Sequence, residues 1–138
     1  MSEDRFVDGH YVVTQTDAAM AHLRICRPDE DPSVLIPDQL AGALARPYCG
    51  FFPQLHQKAA VLMDSFAGSQ IFVTANKRTA IALVDLLIQR SGYRLCPIDA
   101  SERITVASEQ LSKGVGGREM KLEDITEWYR LRLRRFVA

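Results

Sequence analysis

The sequence contains no apolar stretch approaching the roughly 18 residues that a helix needs to cross a bilayer. Its N-terminal residues, MSEDRFVDGHY, include early acids and lack the apolar core of a secretion signal. Both absences predict a protein that has no contact with a membrane and stays in the cytoplasm.

Cysteine is also scarce. The three cysteines, Cys26, Cys49 and Cys96, are odd in number and far apart in the chain. This spacing argues against a disulfide framework and against a zinc site built from paired cysteines. A reducing compartment is the expected environment, and the sequence predicts no metal site from its cysteines or histidines.

An excess of charge is missing too, because 17 basic residues balance 17 acidic ones. A neutral chain creates little long-range attraction for a polyanion, so nucleic acid is an unlikely class of partner. Any site for an anion must therefore be built locally.

What the chain does contain suits an ordinary globular protein. With 138 residues, of which 47% are hydrophobic and 25% charged, it is long enough to close one core. Residues 1–138 are therefore predicted to form a single domain. Its pattern is helical, and no internal repeat interrupts it, so we expect an all-α bundle.

Helix signals place the elements of this bundle. A first helix follows Thr14 or Thr16, either of which can cap it, and a short helix capped by Asp38 stops near Pro47. The later predicted helices are 54–67, 77–91, 100–114 and 121–136, with the segment GVGG at 114–117 as a turn and short extended pieces at 34–36 and 93–97. In the helix predicted at 54–67, Lys58 is placed on the polar face. In the helix predicted at 121–136, the arginines of 130–135 are placed on a solvated face.

The helix at residues 77–91 is apolar around most of its circumference, which predicts a position at the centre of the domain. Gly92 is placed to follow its C-terminus and Asn76 to cap its N-terminus. Lys77 and Arg78 occupy the first turn, where cations oppose the helix dipole and a bound anion would offset that cost. Solvation of both side chains, or pairing with acids elsewhere, is the simpler alternative at this point.

The sequence around the start of this helix gives a more specific indication of function. The segment QIFVTANKR and the two residues after it resemble the active-site signature of the Fic/Doc (Fido domain) family, HxFx(D/E)(G/A)NxR, and in particular its Doc-like, death-on-curing branch. Four residues fill their motif positions and three more extend the match: Phe72, Ala75, Asn76 and Arg78, then Lys77, Thr79 and Ala80. The paired helices before the motif and the helix end LLIQRSGYRL after it look similar as well.

The resemblance implies an all-α fold in which this loop runs into the central helix. It also implies transfer of phosphate or a nucleotide from ATP to a hydroxyl of a target protein, such as an elongation factor, and inhibition by a separate antitoxin. The residues that would hold the nucleotide phosphates are Phe72, Ala75, Asn76, Lys77 and Arg78.

The reactive half of the motif is absent. Gln70 stands at the position of the family's general base, a histidine, and an amide cannot take a proton at neutral pH. Thr74 stands where the family has the acid that binds Mg²⁺, and a neutral hydroxyl is a poor ligand for that ion. The sequence therefore predicts a nucleotide- or anion-binding pseudoenzyme of toxin–antitoxin type, and the alternative is a Doc-like toxin with residual activity.

Overall fold

The computed structural model describes residues 4–136, and most of them are helical. The all-α class expected from the sequence is confirmed. The six α-helices are α1 (Gln15–Ile25), α2 (Pro37–Ala45), α3 (Leu55–Ala67), α4 (Asn76–Arg90), α5 (Ile104–Gly116) and α6 (Leu122–Arg132), and one 3₁₀ turn, Arg46–Tyr48, follows α2.

Two helices form the centre of the fold. Helix α3 contacts α2, α4, α5 and α6, and α4 also packs against α1 and α5. The largest apolar side chains of α3, among them Leu62, Met63 and Phe66, are fully buried. In α4 the buried face is formed by Ala80, Leu83, Val84, Leu87 and Ile88. The helix predicted at 77–91 is thus confirmed, and it shares the central position with α3.

Four short strands form two antiparallel pairs that the helix signals did not predict. Strands β1 (Phe6–Val7) and β2 (His10–Tyr11) form a hairpin, whose turn residues Asp8 and Gly9 both have positive φ. This Asp-Gly turn is a strong hairpin signal that is readable from the sequence. Strand β3 (Tyr93–Leu95) pairs with β4 (Leu133–Arg135), so the predicted last helix ends at Arg132 and the prediction through residue 136 was wrong.

Several local predictions are settled by the helix ends. Thr14 caps α1, and Gly92 follows α4 with φ of 85°, both as expected. Asp38 does not cap α2, because Ile36 is the N-cap residue and Pro37 opens the helix. The segment GVGG is not a separate turn, because α5 continues to Gly116.

Two basic side chains are buried where the sequence predicted solvent. Lys58 is fully buried on α3, and its Nζ donates to Asp8 Oδ2 at 2.8 Å and to the Phe52 carbonyl oxygen at 2.8 Å. The Arg132 guanidinium is buried as well and donates to both Glu102 oxygens, at 2.8 and 2.7 Å. Each burial is possible because a distant acid neutralises the cation, and a helix-face pattern carries no information about such a partner.

Candidate functional site

The loop before α4 is fixed by backbone pairing with the α1–α2 connection. Leu35 N–H donates to the Ile71 carbonyl oxygen at 2.9 Å, and Val73 N–H donates to the Ser33 carbonyl oxygen at 3.1 Å. Val34 therefore forms a β-bridge with Phe72, which agrees with the extended piece predicted at 34–36. The loop is held on one side by this pairing and on the other by the start of α4.

Asn76 holds the loop in a way that the sequence did not predict. It is the first residue of α4 rather than its N-cap, and its side chain reaches back to the Phe72 backbone. The Asn76 Oδ1 accepts from Phe72 N–H at 3.0 Å, and its Nδ2 donates to the Phe72 carbonyl oxygen at 2.9 Å. The amide is thus occupied inside the loop, and the predicted N-cap role of Asn76 was wrong.

Ala75 is the actual N-cap residue, and it adopts a left-handed conformation with φ of 65° and ψ of 24°. This conformation costs an L-residue roughly 1–2 kcal/mol, and Asp8 and Arg118 have a positive φ as well. No side chain caps α4, and the first bond of the helix runs from Thr79 N–H to the Ala75 carbonyl oxygen at 3.0 Å. Among the described residues, the N–H groups of residues 76–78 therefore have no partner.

His22 supports the loop from α1. It is buried, its ring stacks on that of Phe72 with centroids 3.8 Å apart, and its Nε2 lies 2.9 Å from the Thr74 carbonyl oxygen. Because a carbonyl oxygen only accepts, the Nε2–H donates in this pair. The sequence did not assign His22 any role, although its spacing from the buried Ala18 places it on the inner face of α1.

Thr74 and Arg78 are brought together by a carboxylate from the α1–α2 connection. Thr74 Oγ1 donates to Glu30 Oε2 at 2.9 Å, and the Arg78 guanidinium donates to both Glu30 oxygens at 2.8 and 3.0 Å. Arg78 also donates to the Ile25 carbonyl oxygen at 3.1 Å. Arg78, the Arg27 backbone N–H and the Thr74 hydroxyl together lower the pKa of Glu30 to about 2. The predicted phosphate-binding arginine is therefore already engaged with an ionised acid of its own chain.

Gln70 lies exposed at the start of the loop, where its Nε2 donates to the Val73 carbonyl oxygen at 3.2 Å. His56, a histidine on the helix before the motif, lies in the first turn of α3, whereas Gln70 follows the last turn. A helix of 13 residues is about 20 Å long. His56 is therefore at the far end of α3 from Gln70.

An open recess surrounds the start of α4, which we call the α4 recess. Its volume is about 670 Å³, and it is lined by Ile36, Gln39, residues 67–70, residues 74–77, Gly116 and Arg118. Lys77 and Arg118 are exposed and make no ion pair with any residue of 4–136. A Cβ at Gly116 would overlap the Lys77 Cε, so the absence of a side chain there lets Lys77 lie across α5.

A larger cavity of about 1020 Å³ lies along α4 on the side of α5, and we call it the α4–α5 cavity. Lys77 lines both this cavity and the α4 recess and thus connects them. Asp85 faces it from the middle of α4, and burial raises the pKa of this carboxyl to about 6. The sequence analysis did not single out Asp85, because a single acid on a helix has no distinguishing local signal.

Neither space has the ligands of a metal centre: across residues 4–136 no group of three or more His, Cys, Asp or Glu side chains is placed to hold an ion. No helix in this part of the chain is long and apolar enough to span a membrane. No protein-family model matches the chain, and no significant match was found among curated proteins or solved structures.

Proposed function

We propose that this chain is a degenerate Doc-like protein of toxin–antitoxin type, which binds a nucleotide at the α4 recess as a pseudoenzyme without the catalytic histidine. The observation that carries this proposal is the uncapped start of α4. Its N–H groups, which have no partner within residues 4–136, line a recess that also contains two cations without an ion pair in the same part of the chain.

The charges around the recess support binding of phosphate. Free N–H groups at a helix start and the helix dipole both favour an anion. Lys77 and Arg118 add two positive charges, while the chain as a whole is neutral. Ala75 keeps its strained conformation at this position, and the hydrogen bonds of Asn76 maintain it. The backbone is therefore organised for a ligand before one arrives.

The same contacts argue against phosphate transfer. Gln70 cannot accept a proton, and the Thr74 hydroxyl donates to Glu30. Among residues 4–136, Glu30 is the only carboxylate in this network, and Arg78 neutralises it. Lys77, Arg118 and the N–H groups of residues 76–78 fit phosphate oxygens. Mg²⁺ usually needs at least one free carboxylate besides the substrate phosphates, and Glu30 is not free. ATP or another nucleotide is thus the expected ligand, without a resident metal.

The alternative function, an active Doc-like toxin acting on a hydroxyl of a translation protein, has one observation in its favour. Glu30 places a carboxylate 2.9 Å from the Thr74 hydroxyl, close to where the family's motif has its acid. Release of Glu30 from Arg78 would then be needed before it could act. A protein antitoxin is an expected partner under either proposal.

Calorimetric titration with ATP, ADP and GTP, each with and without Mg²⁺, tests the binding proposal. We expect binding that Mg²⁺ does not strengthen, and a loss of about 5- to 10-fold in affinity for Lys77→Gln, because one charged contact to phosphate is removed. Arg24→Gln is the matched control, since Arg24 is an exposed cation outside both spaces, and it should leave the affinity unchanged. Absence of binding for all three nucleotides would refute the proposal.

Transfer of label from γ- and α-labelled ATP to proteins of a cell lysate separates the two functions. We expect no labelling by the wild type and labelling by Gln70→His/Thr74→Asp, which restores the base and the acid. Labelling by the wild type at a rate that Glu30→Gln abolishes would favour the active toxin instead.

A further inference from the structure

The α4–α5 cavity contains charged side chains at different positions along its length, and the proposed phosphate site does not use all of them. Lys77 lies against Gly116, so the start of α4 is beside the end of α5. Helix α4 contributes Lys77, Ile81, Asp85 and Ile88 from successive turns, together with the adjacent Arg78 and Gln89. The other walls come from α5, with Ile104, Thr105, Ser108, Glu109, Ser112 and Lys113, and from Arg27, Arg94, Leu95 and Phe136.

One end of this cavity is cationic. Lys77, Lys113 and Arg27 line it, and none of these three makes an ion pair within residues 4–136. Arg78, which is paired with Glu30, lies beside them. This end adjoins the α4 recess, so a ligand with its phosphates at the start of α4 can extend into the cavity.

The middle of the cavity holds an unpartnered acid. Asp85 makes no hydrogen bond and no ion pair with any residue that the structure describes, although burial raises its pKa to about 6. A partly buried carboxylate without a partner costs folding free energy, and such groups are concentrated at functional sites. The cavity is also lined by the apolar and hydroxyl-bearing side chains Ile81, Ile88, Thr105 and Ser108, and by the polar Gln89 and Glu109.

The distance between the cationic Lys77 and the acidic Asp85 indicates which class of ligand would fit the cavity. Lys77 and Asp85 are eight positions apart on α4, about 12 Å along the helix axis. That separation is comparable to the span from the phosphates to the base edge of an extended nucleotide. A cavity of about 1020 Å³ also has room for a base and a sugar.

We propose that the α4–α5 cavity receives the base of the bound nucleotide and that Asp85 selects guanine through its N1–H and N2–H groups. Guanine presents these two donors side by side, and both oxygens of a carboxylate can accept them. Adenine presents one donor next to an acceptor, which would leave one Asp85 oxygen facing a lone pair. Phe136 lines the far end of the cavity with Arg94 over its ring at 5.7 Å, which adds flat surfaces for stacking a base.

This inference rests on the proposed nucleotide binding, and titrations with four nucleoside diphosphates distinguish the two. The wild type should bind GDP about 10- to 100-fold more tightly than ADP or XDP, because only guanine offers two adjacent donors to Asp85, whereas adenine and xanthine each place an acceptor against one of its oxygens. Asp85→Asn should lose most of the GDP affinity and gain affinity for XDP, since an amide donates to the xanthine O2 while accepting from its N1–H. IDP, which lacks the N2 donors, should fall between GDP and ADP.

Glu123→Gln is the matched control, because Glu123 is an exposed acid that lines neither the α4–α5 cavity nor the α4 recess, and it should keep the wild-type order of affinities. Equal binding of GDP and ADP, unchanged by Asp85→Asn but weakened by Lys77→Gln, would overturn the role of Asp85 and leave phosphate binding intact. No binding of any diphosphate would overturn both. Thermal melts of each variant exclude misfolding as the cause, and the gain for XDP cannot come from a misfolded chain.

Discussion

The motif loop, residues 70–78, and the α4–α5 cavity meet at Lys77 and differ in how far their polar side chains are hydrogen-bonded or ion-paired. In the motif loop, Asn76 is bonded to Phe72, and Thr74 and Arg78 are bonded to Glu30. In the α4–α5 cavity, Asp85 and Lys113 have no partner among the described residues. Most polar side chains of the motif segment are thus bonded within the protein, and of its two charged residues only Lys77 is unpaired within residues 4–136, whereas the unpaired Asp85 and Lys113 lie outside the motif. A motif match therefore identifies a loop geometry more directly than it identifies free binding groups.

The largest expected effect is on the side where the polar groups are paired. Asn76→Ala removes both hydrogen bonds to the Phe72 backbone and leaves a partly buried N–H and carbonyl oxygen unsatisfied. We expect the free energy of unfolding to fall by about 2–4 kcal/mol. Urea denaturation followed by circular dichroism measures this loss.

Gln70→Ala is the control for that measurement, because it removes one exposed hydrogen bond of 3.2 Å from the same loop. Its stability should change by less than about 0.5 kcal/mol. Equal effects of the two substitutions would mean that Asn76 does not organise the loop.

The features that the sequence could predict are those that depend on residues close together in the chain. Helices α1, α3, α4 and α5 follow from apolar spacing and from end signals such as Thr14 and Gly92, since both act within a few residues. The loop and its position at the start of α4 were predictable for the same reason. The Asp8–Gly9 hairpin was equally local but was not recognised.

What the sequence could not supply are contacts between distant residues. His22 and Glu30 meet the motif loop across 52 and 44 positions, and Lys58 meets Asp8 across 50. No periodicity encodes such pairs, because they depend on how the helices pack. The same limit applies to β4, where a helical pattern continued in sequence while pairing with β3 set the actual backbone.

A second prediction concerns the cavity, where removal of a charge should stabilise the fold. The raised pKa of Asp85, about 6 against an ordinary 3.8, means that the native state holds its proton more tightly than the unfolded chain. Stability contributed by this group is therefore lost as pH rises from 3.8 to 6. Asp85→Asn should remove that loss and raise the free energy of unfolding at pH 7 by about 1–2 kcal/mol.

Urea denaturation of the wild type and Asp85→Asn at half-unit steps from pH 3.5 to 7 checks this expectation, with Glu109→Gln as the control. The two curves should separate as pH rises. A variant less stable than the wild type at pH 7 would mean that Asp85 has an internal partner, which would erase the difference between the two spaces.

Glu30 should behave in the opposite way. Arg78 and its other donors lower the pKa of Glu30 to about 2 from an ordinary 4.5, so its contribution to stability is present above pH 4.5 and is lost as pH falls toward 2. Glu30→Gln should flatten the acid side of the stability curve within this window, while Asp85→Asn should not. An unchanged acid slope in Glu30→Gln would contradict the pairing with Arg78.

The smallest expected effect tests Lys77, which belongs to both spaces. Gly116→Ala keeps every charge but places a methyl group where the Lys77 stem now lies. Because alanine favours a helix more than glycine does, the change in stability should stay within about 1 kcal/mol. The displaced Lys77 ammonium should nevertheless weaken binding of ADP about 2- to 3-fold, less than Lys77→Gln does, because the charge stays near the site. Gly114→Ala on the same helix is the matched control, since a methyl group there would face Met120 and not Lys77. If both alanine variants bind ADP equally well, the position of Lys77 across Gly116 has no role in binding phosphate.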